Sequence, residues 1–249
     1  MTSLSERYAL DGKMATMASK LTTPDKRSVR DDMLAAAVEL LNEHGPDELQ
    51  TRKVAVAAGT STMAVYTHFG GMRGLIAEVA EEGFRQFDAA QTMPQTTDPV
   101  ADLFATGAAY RHYAIERPHM YRLMFGSTSA HGINAPTRNA MTLTVAEIER
   151  DHPSFAHVVR VVRRCMLAGR ITAGAADDDA SVVATAAQFW ASIHGFVMLE
   201  LAGYLGDDDS PATPVLNSIT SNLLVALGDS PERVASSARA AWAHETPGT

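Results

Sequence analysis

The sequence predicts an all-α protein with a small N-terminal head of three helices and a larger helical body. Two observations carry this prediction. Apolar residues recur at intervals of three and four over most of the chain, which is the spacing of an amphipathic helix. No segment alternates apolar and polar residues in the period-two manner of a half-buried strand. With 249 residues, the chain is long enough to form both units.

The head is expected to begin after a polar N-terminal segment. Residues 1–22 lack sustained periodicity, and we expect a mobile tail with scattered positive charges. The first helix is predicted to start with Thr23 as its N-cap and Pro24 in the first helical position. It ends before Gly45 and Pro46, which together prevent continuation. Its apolar face is formed by Leu34, Ala37, Val38 and Leu41.

Residues 51–69 form the most distinctive stretch, which is predicted to be two short helices joined by a tight turn. The first helix ends at Gly59, because glycine adopts the left-handed conformation without steric cost. Val65 and Phe69 share the apolar face of the second helix. The opposite face carries Thr62, Met63, Tyr66, Thr67 and His68. A short helix, a glycine turn and a second helix with an outward polar face form the helix-turn-helix layout.

This stretch resembles a known family. The segment 61–69 is similar to the recognition helix of the TetR family of bacterial transcriptional regulators, whose signature ends in Tyr-x-His-Phe. The resemblance extends from about residue 30 to residue 79 and implies that residues 23–71 form a DNA-binding head. It implies that phosphates are held by Thr51, Tyr66 and His68. It implies that base edges are read by Arg52, Thr62, Met63 and Thr67.

The sequence departs from the family's pattern just after the recognition helix. TetR regulators usually have a Ser, Asp or Asn cap there, followed by a Lys that touches phosphate, whereas this chain has Gly71 and Met72. We expect Arg73 to supply that contact from one position later and Arg30 to reach the DNA backbone from the first helix. The departure favours an alternative, a dimeric helical small-molecule-binding protein without specific DNA binding.

The charge distribution agrees with a DNA-binding head. Residues 1–75 hold nine Lys and Arg and nine Asp and Glu, whereas residues 76–249 hold twelve and twenty and so carry the whole net charge of −8. An acidic protein still binds DNA when its basic groups share one surface. The acidic body is therefore expected to face away from phosphate, and it favours neutral or cationic lipophilic ligands over anions.

The body, residues 72–249, is predicted to be helical throughout. A Pro/Thr/Gln loop at 92–97 and a small polar loop at 126–135 interrupt it. Its helices are predicted over residues 73–90, 99–116, 118–125, 137–150, 154–169, 182–204, 211–227 and 231–242. A turn at 174–179 contains three acids, but no further ligands follow at a spacing that suits a metal site.

The body carries a second resemblance, to the Trp-His-Gly pattern of one C-terminal class of TetR regulators, on Trp190, His194 and Gly195. It implies that helices 182–204 and 211–227 pair with their counterparts in a second subunit as a four-helix bundle. Close approach of these helices is favoured by small residues, namely Ala184, Ala187, Ala191, Gly195 and Ala202. The sequence therefore predicts a homodimer.

Large side chains with a few polar tips are spread over four body helices. They are Tyr110, Tyr113, Met120, Met124, Phe125, Met166, Phe189, Trp190 and His194. In the resembling family these helices enclose a small-molecule effector, so the set is expected to border a cavity. The alternative is that the same residues only fill the core. Trp190 and His194 lie one turn apart and face either this cavity or the dimer seam.

Other classes of protein are disfavoured. The sequence has no G-x-S-x-G, H-E-x-x-H, Gly-rich phosphate loop or C-x-x-C, so we expect no enzyme, cofactor or metal site. Cys165 lies among apolar residues and is expected to be a buried thiol. No signal peptide is visible and no apolar run reaches a membrane span, which favours the reducing cytoplasm. The expected function is a ligand-responsive repressor that binds a palindromic double-stranded operator as a homodimer.

Overall fold

A computed structural model describes residues 28–135, 139–206 and 212–243. These residues form eleven α-helices and no strand, apart from one isolated bridge between Ala130 and Ile133. The all-α prediction is therefore confirmed. The N-terminal tail lies outside the described residues.

Five helices form the head and its connection to the body. They are α1 (Val29–His44), α2 (Thr51–Ala57), α3 (Thr62–Phe69), α4 (Met72–Gln91) and α5 (Pro99–Glu116), with a 3₁₀ turn at Pro46–Glu48 between α1 and α2. The remaining helices are α6 (Pro118–Met124), α7 (Val145–Asp151), α8 (Pro153–Leu167), α9 (Asp179–Leu201), α10 (Ala212–Ala226) and α11 (Pro231–Ala243).

Helix α1 begins at Val29, so the predicted start at Thr23 is wrong for this helix. Ser28 has extended backbone angles and is the N-cap. Its hydroxyl accepts a hydrogen bond from the Asp31 N–H, and the Asp31 carboxylate accepts one from the Ser28 N–H, which is a reciprocal capping box. Thr23 and Pro24 themselves lie outside the described residues.

The core of the head is the one that the apolar spacing predicts. From α1, Leu34, Ala37 and Leu41 are buried, and Val38 packs against the same cluster. They meet buried side chains of the following segments, namely Leu49, Val54, Val65 and Phe69. This packing fixes α2 and α3 against α1. Because Val65 and Phe69 of α3 are buried in this core, the opposite face of α3 is directed outward.

Helix α4 connects the head to the body. Its first half buries Leu75, Ile76 and Val79, and its second half buries Phe87 against aromatic residues of the body. At Gly83 the helix passes very close to α6, since a β-carbon there would stand 2.6 Å from the Met120 sulfur. The two parts of the protein therefore share one continuous apolar cluster.

Two helix predictions in the body need correction. The predicted helix 137–150 is limited to α7, because residues 139–144 form turns and Thr144 caps the helix with Glu147 in a second capping box. Residues 136–138 lie outside the described part. The predicted helix 182–204 begins three residues earlier, at Asp179, since the Asp178 carboxylate accepts from the Ala180 N–H and starts α9 there.

Two of the three acids at the start of α9 have structural partners: Asp178 caps the helix through the Ala180 N–H, and Asp179 contacts two other helices. Asp179 accepts hydrogen bonds from the Val145 N–H and from the Arg163 guanidinium, both at 3.0 Å, and so joins α7, α8 and α9. Among the described residues, no group of three His, Cys, Asp or Glu side chains is placed to hold a metal ion. Cys165 is buried as predicted, and burial raises the pKa of its thiol to about 12.

Of the described helices, α9 alone is long and apolar enough to cross a membrane by length and composition. Its sequence contains no unbroken apolar run of that length, because polar residues such as Gln188 and Glu200 interrupt it. Core helices meet the same criterion. Here α9 buries Val182, Phe189 and Val197 inside the body, which accounts for one apolar face of the helix.

Candidate functional site

The outward face of α3 is the first candidate site. Val65 and Phe69 anchor the helix in the head core, and Gly59 takes the left-handed conformation in the preceding turn, with φ of 63°. Met63 is 69% exposed and Tyr66 is 59% exposed, which is unusual for side chains of this size. All five residues predicted on this face, Thr62, Met63, Tyr66, Thr67 and His68, are exposed.

Helix α2 lies beside α3 and contributes its first turn. Arg52 is exposed and Thr51, the first helical residue, is half-buried. The neighbouring Lys53 is engaged with Glu48, since its ammonium group donates a hydrogen bond to that carboxylate. Arg52 is therefore the cation of this turn whose side chain is directed to solvent.

Arg30 is not free, contrary to the sequence-based expectation. Its guanidinium donates to Glu78 of α4 at 2.7 Å and lies over the Phe69 ring, 5.3 Å from the centroid. These contacts tie α1 to α4 across the C-terminal end of α3. A phosphate contact by Arg30 would compete with the Glu78 carboxylate. Neither partner was recognisable from the sequence, because 48 residues separate the pair.

The glycine at the start of α4 lies against the recognition helix. Gly71 is the N-cap of α4, with φ of 108° and no side-chain capping bond. A β-carbon at this position would stand 3.6 Å from the Tyr66 ring. Arg73 is exposed in the first turn of α4. Hence the positions that depart from the family's pattern adjoin the exposed aromatic residue of α3.

The second candidate site is a cavity of about 370 Å³ in the body, enclosed by α4, α5, α8 and α9 and by the end of α6. Six of the nine predicted pocket residues border it: Tyr110, Met124, Phe125, Phe189, Trp190 and His194. The structure therefore places Trp190 and His194 towards the cavity. Further aromatic walls come from Phe84, Phe87 and Phe155.

The other three predicted residues do not border the cavity. Tyr113 faces α4, where its hydroxyl donates to the Gly83 carbonyl oxygen at 3.0 Å. Met120 packs against the same glycine. Met166 belongs to the second apolar cluster, formed largely by α5, α8 and α9. Each of these side chains is buried and fills the core, which is the alternative weighed for the whole set.

Phe84, Phe87 and Phe155 are wall residues that the sequence did not predict, and Tyr121 is a buried partner of His194 that it did not predict either. The signal available was weak, since an aromatic residue on the inner stripe of an amphipathic helix usually fills a core. Phe84 and Phe87 of α4 both contact the Phe125 ring, with centroids 5.6 and 6.1 Å away. That convergence exists only once α4 and α6 have packed.

Three polar groups meet at one wall of the cavity, which Tyr110 and His194 border and behind which Tyr121 is buried. The hydroxyls of Tyr110 and Tyr121 are 2.7 Å apart, and the Tyr121 hydroxyl is 2.7 Å from His194 Nδ1. The Tyr110 hydroxyl is 3.2 Å from the same nitrogen. Burial raises the pKa of both tyrosines well above the usual range and lowers the pKa of His194. This wall is therefore uncharged near neutral pH.

Charged groups border the cavity at its solvent edge. Arg85 of α4 is largely exposed and pairs with Glu82. Asp151, at the end of α7, pairs with the exposed Arg150 at 2.7 Å. The wall formed by Tyr110, Phe125, Trp190 and His194 is thus aromatic and neutral, while the charges of the lining belong to half-buried Glu81 and to exposed Arg85 and Asp151.

Helices α9 and α10 leave apolar side chains uncovered. On α9, Ala184, Ala191, Gly195 and Leu199 are exposed on the side opposite to the cavity, and Leu199 is 50% exposed. On α10, Val215 and Val225 are also exposed. Ala187 and Ala202, of the predicted small-residue set, are half-buried and exposed, respectively.

Comparison with known families gives two matches. Residues 33–79 match the family described as bacterial regulatory proteins, tetR family. Residues 103–222 match the family described as tetracyclin repressor-like, C-terminal domain. The second description does not test the Trp-His-Gly class, which stays a prediction.

Individual proteins agree with these matches. The chain is 24% identical over 189 residues to an uncharacterized HTH-type transcriptional regulator of Mycobacterium tuberculosis. The aligned region covers 74% of this chain and 75% of that protein. A protein of unknown function from Rhodococcus sp. RHA1 has a TM-score of 0.63 and 26% identity over 84% of this chain and all of the other. A variant of TetR from Acinetobacter baumannii AYE, solved with minocycline, shares the fold, with a TM-score of 0.54 and 20% identity over 81% and 95% of the two chains.

Proposed function

The chain belongs to the TetR family of bacterial transcriptional regulators, and from this premise we propose that it is a repressor that leaves its operator when a small molecule enters the body cavity. It is a DNA-binding transcriptional regulator, and we assign it no catalytic step. The observation that carries the proposal is that one helix, α4, borders both the recognition helix and the aromatic cavity. We place its action in the cytoplasm, where the operator lies.

The proposed DNA contacts divide into two groups. Thr51, Tyr66, His68 and Arg73 hold phosphates and set the register on the duplex. Arg52, Thr62, Met63 and Thr67 read base edges in the major groove. Support comes from the exposure of all of these side chains but Thr51 on neighbouring turns of α2, α3 and α4. Arg30 is left in a supporting role, since Glu78 already holds its guanidinium.

The proposed assembly is a homodimer built on α9 and α10. Their uncovered apolar side chains favour pairing with the same surface of a second copy, which is how a two-fold interface buries both copies at once. Such a dimer presents two α3 helices to successive major grooves, about 34 Å apart, and so requires a palindromic operator.

The proposed route from cavity to head passes through α6. Its C-terminal residue Met124 borders the cavity, while His119 near its start lies against the end of α1. A β-carbon on Gly45 there would stand 3.3 Å from the His119 ring. An effector that displaces α6 therefore acts on the head directly. It must bind the released state about 10⁴-fold more tightly to move the population from about 1:99 to 99:1.

The ligand seen in a structural relative supports a binding site in the body. The Acinetobacter baumannii variant was solved with minocycline, and its fold covers most of this chain. At 20% identity, this similarity does not indicate that minocycline is a ligand of this protein. The identity of the effector is argued below from this chain's own cavity.

The proposal is tested by selecting bound sequences from a random pool of double-stranded DNA. We expect a palindrome whose half-site centres are about one helical turn apart. Enrichment of unsymmetrical sites by a monomeric protein would contradict the proposal. If the protein binds small molecules but enriches no sequence, the alternative is favoured, in which the Gly71–Met72 start of α4 belongs to a ligand-binding protein without specific DNA binding.

A further inference from the structure

The hydrogen atoms on the polar wall of the cavity can be counted. Tyr110, Tyr121 and His194 Nδ1 form three mutual contacts, at 2.7, 2.7 and 3.2 Å. If Nδ1 is bare, Tyr121 donates to it, Tyr110 donates to the Tyr121 oxygen, and each hydrogen has an acceptor. If Nδ1 carries a hydrogen, it cannot accept, and one hydroxyl hydrogen has no acceptor among the described residues.

The cost of that second arrangement decides the tautomer. Tyr121 is fully buried, and Tyr110, although it borders the cavity, is only 5% exposed, so a water molecule replaces the missing acceptor less well than the bond to Nδ1. An unsatisfied buried donor is expensive relative to a hydrogen bond that is made. The arrangement with a bare Nδ1 is therefore favoured, and in a neutral imidazole the hydrogen then stands on Nε2.

The Nε2–H group is directed away from the two tyrosines and is available to a ligand. Among the described residues it has no hydrogen-bond partner, since the contacts of His194 with Tyr110 and Tyr121 are both made by Nδ1. The Nε2 atom is also not fully buried. In the described part of the chain, Asn42 Oδ1 is the one fully buried side-chain N or O atom without a hydrogen-bond partner, so Nε2, which has no partner, must be accessible. His194 borders the cavity, which is where an acceptor can approach.

The surroundings of this donor define the rest of the ligand. The Phe125 ring meets the His194 ring edge-on with centroids 4.9 Å apart, and Trp190 lies 6.1 Å away. Rings arranged this way favour a flat aromatic guest that offers edges and faces to them. The rings beside this donor carry no fixed charge, since the acidic and basic side chains of the lining, Glu81, Arg85 and Asp151, belong to α4 and to the end of α7. An ion placed against these rings would therefore be desolvated without a counter-charge in contact with it.

We propose that the effector is an uncharged aromatic compound with an oxygen atom that accepts a hydrogen bond from His194 Nε2–H. This inference rests on the proposed function of the cavity. It specifies a donor on the protein, an acceptor on the ligand and the absence of charge on both. It also assigns Tyr121 as a positioning residue, which holds the imidazole in the tautomer that donates into the cavity.

The first test uses three bicyclic probes and calorimetry on the full-length protein without DNA. Coumarin is neutral and has a carbonyl oxygen, naphthalene has no acceptor, and 2-naphthoate is an anion. We expect coumarin to bind about tenfold more tightly than naphthalene, which is the value of one well-formed hydrogen bond. We expect 2-naphthoate to bind more weakly than coumarin.

Two variants separate the hydrogen bond from the packing. His194→Leu should bind coumarin and naphthalene equally, since it lacks the donor. His194→Gln should keep the preference for coumarin, because its amide nitrogen lies about as far from Cα as Nε2 and also donates. A preference for coumarin that survives in His194→Leu would overturn the assignment of the donor.

The second test reads the tautomer directly. In protein labelled with ¹⁵N-histidine, the His194 signals are assigned by their loss in His194→Gln. We expect the wild type to show a protonated Nε2 and a bare Nδ1, and Tyr121→Phe to shift towards a mixture of tautomers. A protonated Nδ1 in the wild type would overturn the proposal. A ratio that Tyr121→Phe leaves unchanged would overturn the role of Tyr121, because the Tyr110 hydroxyl, 3.2 Å from Nδ1, would then hold the tautomer.

The outcomes distinguish this inference from the proposed function. If naphthalene binds as tightly as coumarin and still releases the selected operator, the hydrogen bond is wrong and the ligand-responsive repressor stands. If 2-naphthoate binds most tightly, the uncharged class is wrong. If none of the three probes binds up to its solubility limit, the inference is overturned, whereas the proposed function is decided separately by the selection of operator DNA.

Discussion

Gly83 of α4 and Met124 of α6 approach so closely that a β-carbon on the glycine would stand 2.7 Å from the methionine sulfur. The Tyr113 hydroxyl reinforces this crossing by donating to the Gly83 carbonyl oxygen. Met124 also borders the cavity, so the crossing lies between the proposed effector site and the helix that enters the head.

Gly83→Ala should therefore destabilise the protein and change its affinity for operator. The added methyl group overfills a packed site, which costs about 1–3 kcal/mol. Urea unfolding and fluorescence anisotropy with the selected operator measure the two effects. Gly107→Ala is the matched control, because its β-carbon would stand 3.5 Å from Ile193, an ordinary contact in a helix that alanine favours. Equal stability of the two variants would show that the crossing tolerates a side chain.

Arg52→Ala should weaken operator binding by about 1–3 kcal/mol and relax the preference at one base pair, as expected for a side chain that reads a base edge. Repeating the selection from random DNA with the variant identifies that base pair. Arg150→Ala is the control, because Arg150 is an exposed cation of the body that pairs with Asp151. A uniform loss of affinity with an unchanged sequence preference would instead make Arg52 a phosphate contact.

Ala191→Arg should produce monomers that bind the operator poorly. Ala191 is exposed on the uncovered face of α9, where a charged side chain would be buried without a partner if the proposed dimer forms. Sedimentation velocity at micromolar concentration measures the change. Ala90→Arg places the same charge on an exposed position at the end of α4 and should leave the dimer intact. A wild type that is already monomeric would rule out this assembly.

Asp229→Ala should be among the most destabilising single changes in the body. The Asp229 carboxylate is fully buried and accepts from the Arg170 guanidinium at 2.8 Å. Removing it leaves Arg170 in the interior with only Asp98 and Ser237, and breaking such a pair costs about 3–5 kcal/mol. Urea unfolding measures the loss. Glu116→Ala breaks exposed pairs with His112 and Arg117 and should change stability little. Similar effects of the two would contradict the role of burial.

The sequence by itself determined the elements whose signals are local. Apolar spacing, Gly59 and the Tyr-x-His-Phe signature were enough to place α2 and α3 and the exposed face between them, because helix faces and caps depend on residues a few positions apart. The bounds of α5 were predicted correctly for the same reason, because Pro99 marks its start and Pro118 begins the next helix. The capping boxes at Ser28 and Thr144 are local signals too. They mark the true starts of α1 and α7, whereas the sequence-based prediction placed these starts at Thr23 and at residue 137.

Tertiary structure alone decided which groups meet. Tyr110 and Tyr113 are the same residue type one helical turn apart, yet only Tyr110 borders the cavity, because the Tyr113 hydroxyl is bonded to the Gly83 carbonyl oxygen of α4. The Arg30–Glu78 pair spans 48 residues, and the contact of Tyr121 with His194 spans 73. Such contacts depend on how whole helices cross, which is set by the summed packing of many side chains and is not encoded in any single stretch of sequence.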